Sequence, residues 1–410
     1  MKNRRQFITT ASAATLAGHL RAETKPGQKL RVGVMGLNRG KAHISNFAKL
    51  DGVEIAYICD VDQTRLAAGA KYASERQNGK VPKAVTDFRR ILEDKDVDVL
   101  SIATPNFWQA PATILACDAG KHVYVEKPGS HNPREAELMV AAAQRTNRKV
   151  QMGNQRRSAP GYREGIEKLK AGVIGELRYA RCWYDNKRGS IGKGKAASVP
   201  AHLDYDLWQG PVPARPYKDN LIHYNWHWHW LYGGGELANN GVHALDIARW
   251  ALDVDSPNRT SYTGGRYHFD DDQETPDTAD ATYDFGKVGM SWHGSSCLQR
   301  KHEKHAFVSI YGDGGIMSFD GGGYRIYDNA GKLVHENVPK LSDVPHFQNF
   351  VNAIRNGDAL NSQISDAQKS TMLCHLGNIS YREGIQIKGT DAPREHWQRK
   401  YSEAWKPAGI

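Results

Sequence analysis

The chain has 410 residues, 40% of them hydrophobic and 24% charged, with 40 Gly and 17 Pro. These values exclude a low-complexity or disordered chain and leave room for two or three folded domains of about 150 residues each. A formal charge of +10 raises nucleic acid or an anionic membrane as partners, yet it falls to +6 once Lys2, Arg4, Arg5 and Arg21 are set aside, and no lysine-rich tract carries the remainder. No nucleic-acid partner is therefore expected.

Residues 1–25 read as a targeting segment. A basic start with Arg4-Arg5-x-Phe7 precedes an Ala-rich run from 11 to 20 and a short Leu20-Arg21-Ala22 cleavage candidate. This pattern resembles a twin-arginine export signal, which implies a periplasmic or otherwise exported protein. No other stretch approaches the roughly 18 apolar residues of a membrane span, so the mature form is expected to have no membrane part. The five cysteines, Cys59, Cys117, Cys182, Cys297 and Cys374, are widely separated and never form a Cys-x-x-Cys pair. That argues against a disulfide framework and against a thiolate zinc site.

From residue 30 the chain alternates apolar, β-branched runs with amphipathic stretches. Strands are predicted over 30–35, 53–59, 97–103, 122–125 and 149–152, and helices over 41–50, 63–74, 109–119 and 133–145. Such βαβ alternation predicts a parallel sheet that binds ligands beyond the carboxyl ends of its strands. A Rossmann domain is expected over 29–153, a substrate domain over 154–390 and a tail over 391–410.

The first strand-to-helix turn contains Gly36, Asn38, Arg39 and Gly40. Glycine at such a turn permits tight bending and close backbone approach to a pyrophosphate at the helix N-terminus. Asn38 stands where a further glycine is usual, and Asn tolerates left-handed backbone better than most residues. The second strand runs into Asp60, 24 positions after Gly36. A carboxylate there can accept hydrogen bonds from both ribose hydroxyls and would repel a 2′-phosphate, so NAD is expected over NADP. The bland role for Asp60 is a cap of the following helix.

The fifth strand ends in Glu126-Lys127-Pro128, which places an ammonium at the nicotinamide end of the sheet. At these residues the sequence resembles the glucose-fructose oxidoreductase and inositol dehydrogenase (Gfo/Idh/MocA) family. Thr104-Pro105-Asn106, Glu126-Lys127-Pro128, Gln151-Met152-Gly153-Asn154-Gln155-Arg156-Arg157, and Gly233-Gly234-Gly235 through His243 and Asp246 all fall in that family's order. The resemblance spans most of 30–385 and implies a Rossmann domain followed by an α/β domain with a large open, mostly antiparallel sheet. It also implies cofactor contacts from Thr104, Pro105, Asn106, Glu126, Lys127 and Asn154, with Lys127 touching substrate and nicotinamide. The family's Asp-x-x-x-His motif, whose His serves as acid/base, corresponds here to Asn239 through His243. The histidine is kept and the carboxylate is not, so the role of base passes to His243 or Lys127. A second departure is Phe107 and Gln109, near positions where many relatives carry histidine.

Asn239 and His243 are four apart and predicted to share one helical face, with Asp246 able to orient the imidazole or cap a neighbour. Upstream, residues 223–232 alternate tryptophans with His227 and His229. If extended, Trp226, Trp228 and Trp230 share one face, suited either to a sugar ring or to the core. No carboxylate or thiolate completes a metal shell around the two histidines, so no metal is expected. The substrate-binding candidates are Arg156, Tyr224, Trp226, His227, His229, Asn239 and His243. Antiparallel strands are predicted over 262–269, 281–285, 288–292 and 307–311, and closing helices over 344–356 and 365–383.

The leading expectation is an exported NAD-dependent oxidoreductase that moves hydride from a hydroxyl carbon of a sugar, polyol or sugar derivative, with His243 taking the hydroxyl proton beside Lys127. One alternative is a glycosidase that oxidises, eliminates and re-reduces with tightly held NAD. Another is a carbohydrate-binding protein that has kept the fold and lost the chemistry. A homo-oligomer through the C-terminal sheet is also anticipated.

Overall fold

The computed structural model describes residues 29–405. The targeting segment expected at 1–25 and the end of the chain at 406–410 lie outside the described residues.

Six strands form a wholly parallel sheet: β1 (Leu30–Met35), β2 (Val53–Cys59), β3 (Lys83–Val85), β4 (Val99–Ile102), β5 (His122–Val125) and β6 (Val150–Met152). Their order is β3-β2-β1-β4-β5-β6, so the switch point between β1 and β4 opens the crevice where such sheets take ligands. The edge strand β3 has no counterpart among the predicted runs, because three residues with two exposed give no apolar pattern to read. The helix after β4 begins at Asn106, three residues before the predicted start, directly behind Pro105. The helix Gln63–Arg76 is capped by Asp62, whose Oδ1 accepts from the amides of Thr64 and Arg65. Asp60 is thus released from the capping role.

Nine strands form a mixed sheet: β7 (Leu177–Asp185), β8 (Arg259–Gly265), β9 (Thr278–Asp284), β10 (Gly289–Ser295), β11 (Val308–Gly312), β12 (Gly315–Asp320), β13 (Gly323–Tyr327), β14 (Leu333–Asn337) and β15 (Ile387–Lys388). The order is β14-β13-β12-β11-β7-β10-β9-β8-β15. Among the described residues of this sheet, only β7 and β10 pair in parallel. Ala279, Ala281 and Tyr283 of β9 alternate inward, joining the helices Pro160–Lys170, Val242–Leu252 and Ile364–Glu383 in one core.

Two segments cross between the sheets. The helix Val344–Asn356, expected to close the second domain, packs instead on the first: Phe347 lies flat on Tyr124 at 4.3 Å, and Phe347, Phe350 and Val351 share a cluster with Val32 and Val34. The irregular stretch before residue 223 reaches the end of β2, where Gln63 N donates to His202 O at 2.9 Å and Asp204 N to Val61 O at 2.9 Å. The crevice is therefore walled by both sheets' connections.

Candidate active site

A cavity of about 520 Å³ lies at the carboxyl ends of β1, β2, β4 and β5. Its first wall is backbone. Gly36 adopts φ +86°, and a Cβ there would stand 2.7 Å from the carbonyl oxygen of Ala103, so the turn requires glycine. Gly40 does not reach the cavity: a Cβ on it would meet Val34 at 3.1 Å, so its part is close packing of helix on strand. Leu37, Asn38 and Arg39 line the space between them.

Asp60 accepts from Leu37 N at 2.8 Å and from Asp62 N at 3.0 Å. Burial pushes its carboxyl up while those amides oppose the shift. Thr104, Pro105 and Asn106 follow, and the Thr104 hydroxyl is buried with no partner among the described residues. An orphaned donor, a glycine turn that lets backbone come close and a carboxylate at the end of β2 fit a dinucleotide. Asn154 behaves differently. It is 1% exposed, off the cavity wall, and both ends of its amide lack partners among the described residues.

Glu126 and Lys127 close this wall. Glu126 Oε1 accepts from Arg39 Nε at 3.0 Å and from Gln155 Nε2 at 3.2 Å, and lies 3.0 Å from His43 Nε2. Burial alone would raise its pKa, but Arg39, His43 and Lys127 hold it far below the usual carboxylate range. Gln109, one of the two departures from the histidine pattern, ties the loop together: its Oε1 accepts from Gly129 N at 2.8 Å and its Nε2 donates to Thr104 O at 3.2 Å.

The opposite wall is built from 188–243. Lys127 Nζ donates to both oxygens of Asn239, the backbone carbonyl at 2.5 Å and the side-chain Oδ1 at 2.8 Å. Burial pushes the Lys127 ammonium down to about 8, with Glu126 and Glu236 resisting. Asn239 sits in a π-helical turn, Leu237–Gly241, that runs into the helix Val242–Leu252. Asn239, Asn240 and His243 all face the cavity. Burial, then the charges of Lys127 and Arg156, keep His243 well below its ordinary pKa and hence neutral. Asp246 does not orient that imidazole. It holds Arg157 through two 2.8 Å hydrogen bonds, both side chains buried. Arg156, beside it in sequence, lines the cavity over the Phe307 ring at 4.6 Å, its Nε without a partner among the described residues.

The aromatic segment is not extended. Asn225–Trp228 forms a 3-10 turn, so the three tryptophans do not share a face. Tyr224, Trp226 and His227 line the cavity, with His227 stacked on Trp226 at 3.6 Å. Burial pushes His227 down to about 3. Trp228 packs at 2% exposure, and Trp230 turns toward Tyr381. His229 points off the cavity toward Glu274, 3.5 Å away. Of the expected site residues, then, Gly40, Asn154 and His229 stay off the cavity wall and the others meet there.

Two residues escaped sequence reasoning. Glu236, 3% exposed, accepts from Arg188 Nε at 2.9 Å and from the side-chain amides of Asn239 (3.4 Å) and Asn240. Arg188 also donates to the Tyr224 hydroxyl at 2.8 Å. The carboxylate absent at 239 is thus present three residues earlier, a helical-turn offset that Glu236 after Gly233-Gly234-Gly235 made available to inspection. Arg188 carried no signal, since it lies far upstream in a segment without periodicity.

Comparison with known proteins gives the same organisation. Residues 30–154 match the model described as "Oxidoreductase family, NAD-binding Rossmann fold", and residues 180–400 match "Oxidoreductase family, C-terminal alpha/beta domain". Among curated proteins, a glycosyl hydrolase family 109 protein of Shewanella putrefaciens is 31% identical over 160 residues, 38% of this chain and 35% of the relative. The chain thus matches about a third of that relative's length. Similar solved structures include levoglucosan dehydrogenase in complex with NADH and levoglucosan (18% identity, TM-score 0.69, 89% of this chain and 100% of that one). Another is aldose-aldose oxidoreductase from Caulobacter crescentus complexed with glycerol (20%, 0.68, 88% and 100%). At these identities the likeness speaks for the fold. With both domain models matched in order across most of its length, the chain belongs to the Gfo/Idh/MocA oxidoreductase family, an NAD-binding Rossmann domain joined to the family's C-terminal α/β domain.

Proposed function

We propose that the protein is an NAD-dependent oxidoreductase of a secondary hydroxyl on a sugar, polyol or sugar derivative. The observation that carries this reading is Lys127, half-buried just beyond the end of β5 and held by both oxygens of Asn239. NAD, when bound along Gly36, Asp60 and Thr104, supplies the acceptor for the hydride that leaves the hydroxyl carbon. An amine that gives two N–H bonds to Asn239 directs its remaining position elsewhere, toward the cavity: a donor when protonated, a lone pair when neutral. With its pKa near 8, Lys127 suits the task of taking the hydroxyl proton. Burial, and then the Lys127 and Arg156 charges, lower the basicity of His243, so its neutral imidazole is assigned to orienting the hydroxyl. This reverses the expected division of labour between them. Tyr224, Trp226, His227 and Arg156 supply ring faces and donors to the rest of the substrate.

The test is absorbance at 340 nm when the protein meets NAD and a panel of aldoses, polyols, uronates and glycosides. Reduced cofactor appearing with at least one of them, and not with Lys127→Met, is the expected result; no binding of NAD and no turnover sinks the reading.

A second reading has its own support in the matched stretch shared with proteins named glycosyl hydrolases. Oxidation of a ring hydroxyl to a ketone acidifies the neighbouring C–H. Removal of that proton expels the glycosidic oxygen as an alcohol, water adds across the resulting double bond, and the ketone is reduced back. Release of the aglycone from a glycoside without net cofactor reduction favours this course over simple dehydrogenation.

Export through the twin-arginine route is part of the proposal, supported by Arg4-Arg5-x-Phe7 ahead of the Ala-rich run. Changing Arg4 and Arg5 to Lys should leave the protein in the cytoplasm, and unchanged export would contradict it. A homo-oligomer through the nine-stranded sheet is also part of the proposal, and light scattering would detect it.

A further inference from the structure

After the helix Arg394–Trp397 the chain does not trail away but returns to the Rossmann domain. Arg399, 8% exposed at its side chain, pairs at 2.7 Å with the fully buried Glu135 and donates to Phe107 O at 2.6 Å. The Tyr401 hydroxyl reaches the same carboxylate at 2.7 Å. Ser402 then bonds Pro211 O through its amide at 3.0 Å and Gly210 O through its hydroxyl at 2.6 Å. Contacts to Phe107 and Glu135 on one side and to Gly210 and Pro211 on the other thus hold the strap at both ends.

Its last described residue is Trp405, 7% exposed. The indole meets Trp108 edge-on at 4.8 Å, runs near-parallel to Phe88 at 6.1 Å and 22°, and has the Arg89 guanidinium over it at 4.6 Å. Trp405, Phe88 and Trp108 line the cavity together with Asp60, Arg65, Thr86 and Asp87. This is the β2–β3 side of the sheet, away from Lys127, which lies beyond the end of β5. Asp60 marks it as the end for the adenosine ribose. A purine needs a flat apolar boundary beyond that ribose, and aromatic faces supply one.

We propose that the C-terminal strap is part of the cofactor site, Trp405 closing the adenosine end of the cavity against the purine of the bound dinucleotide. The proposal rests on the dinucleotide reading of the cavity and adds to it a residue from the far end of the chain. Because Arg399, Tyr401 and Ser402 already hold the strap, the indole is preorganised, and its contribution appears as affinity for adenosine.

Isothermal titration of the full chain with ADP-ribose and with nicotinamide mononucleotide separates the two ends. Trp405→Ala should weaken ADP-ribose and NAD about tenfold and leave the mononucleotide within about twofold. Trp405→Phe should recover most of the loss. ADP-ribose bound by Trp405→Ala within about twofold of wild type, or more tightly, overturns the proposal, as does an equal loss for the mononucleotide. If Trp405→Ala does not fold, Trp405→Leu keeps the apolar contact without the ring face and should lose about threefold, with the same contrary results. Wild type that binds neither ADP-ribose nor NAD contradicts the cofactor assignment itself; wild-type binding with an indifferent Trp405→Ala contradicts only the strap.

Discussion

The two walls of the cavity are made in different ways. The cofactor wall is a row of strand ends, Gly36, Asp60, Thr104 and Glu126, each fixed by a parallel ladder a few residues away and presenting backbone or a short side chain. The substrate wall is a 3-10 turn behind Tyr224, carrying Trp226 and His227, and a π-turn carrying Asn239 that runs into the helix of His243, and it is braced by side chains from distant positions, above all Arg188 on Glu236. Geometry on the first side is a property of the sheet, whereas on the second it depends on buried polar pairs. π-turns inside helices are frequent at functional sites, because they re-aim carbonyls such as that of Asn239.

Substitutions on the two walls test that contrast. The largest expected effect lies where the walls meet. Lys127→Met should lower kcat/KM about 10³-fold without changing NAD affinity more than a few-fold, as measured by steady-state kinetics and titration. Next comes the support behind the substrate wall: Arg157→Met leaves the buried Asp246 with Ser370 as its remaining hydrogen-bond donor and should cost about 3 kcal/mol of stability, seen in thermal and urea unfolding. A loss below about 1 kcal/mol would mean the pair is not the brace. His243→Asn keeps a hydrogen-bonding group and should cost about tenfold to a hundredfold in kcat/KM, less than Lys127→Met; the reverse order would return the base to His243. Glu236→Gln keeps shape and removes a charge that holds the Lys127 proton. The apparent pKa of the rate should therefore fall, by about half a unit or more, with little change in NAD binding. Smallest is Asp60→Asn, expected to cost NAD a few-fold to about tenfold and to narrow the preference over NADP, by competition binding.

The same contrast decides what the sequence could disclose. Buried β-strands and their turns advertise themselves, so β1, β2, β4, β5 and β6, Gly36, Asp60 and Lys127 were legible from local pattern. The alternation of Trp and His over 223–230 looked like period two, yet the backbone bonds locally: Trp226 N reaches Leu221 O at 3.1 Å, and His229 N reaches Trp226 O at 3.3 Å. Trp226 and Trp228 are both buried although neither pairs in a sheet, because tertiary packing overrode the local pattern. Asp246 shows the same limit. Its spacing from His243 allowed a helical contact, while Arg157, 89 positions away, took both oxygens. Long-range ion pairs of this kind leave no period to read.

Lys127 is proposed as the group that accepts the substrate proton, and the pH dependence of kcat/KM for NAD reduction tests that role most directly. A group whose pKa is lowered from 10.5 to about 8 is protonated below that pH and neutral above it, so oxidation should rise through about pH 8 and level off beyond. The rise should be absent in Lys127→Met and kept in His243→Asn. A rate that is flat across that range, or a limb that survives in Lys127→Met, would contradict the account.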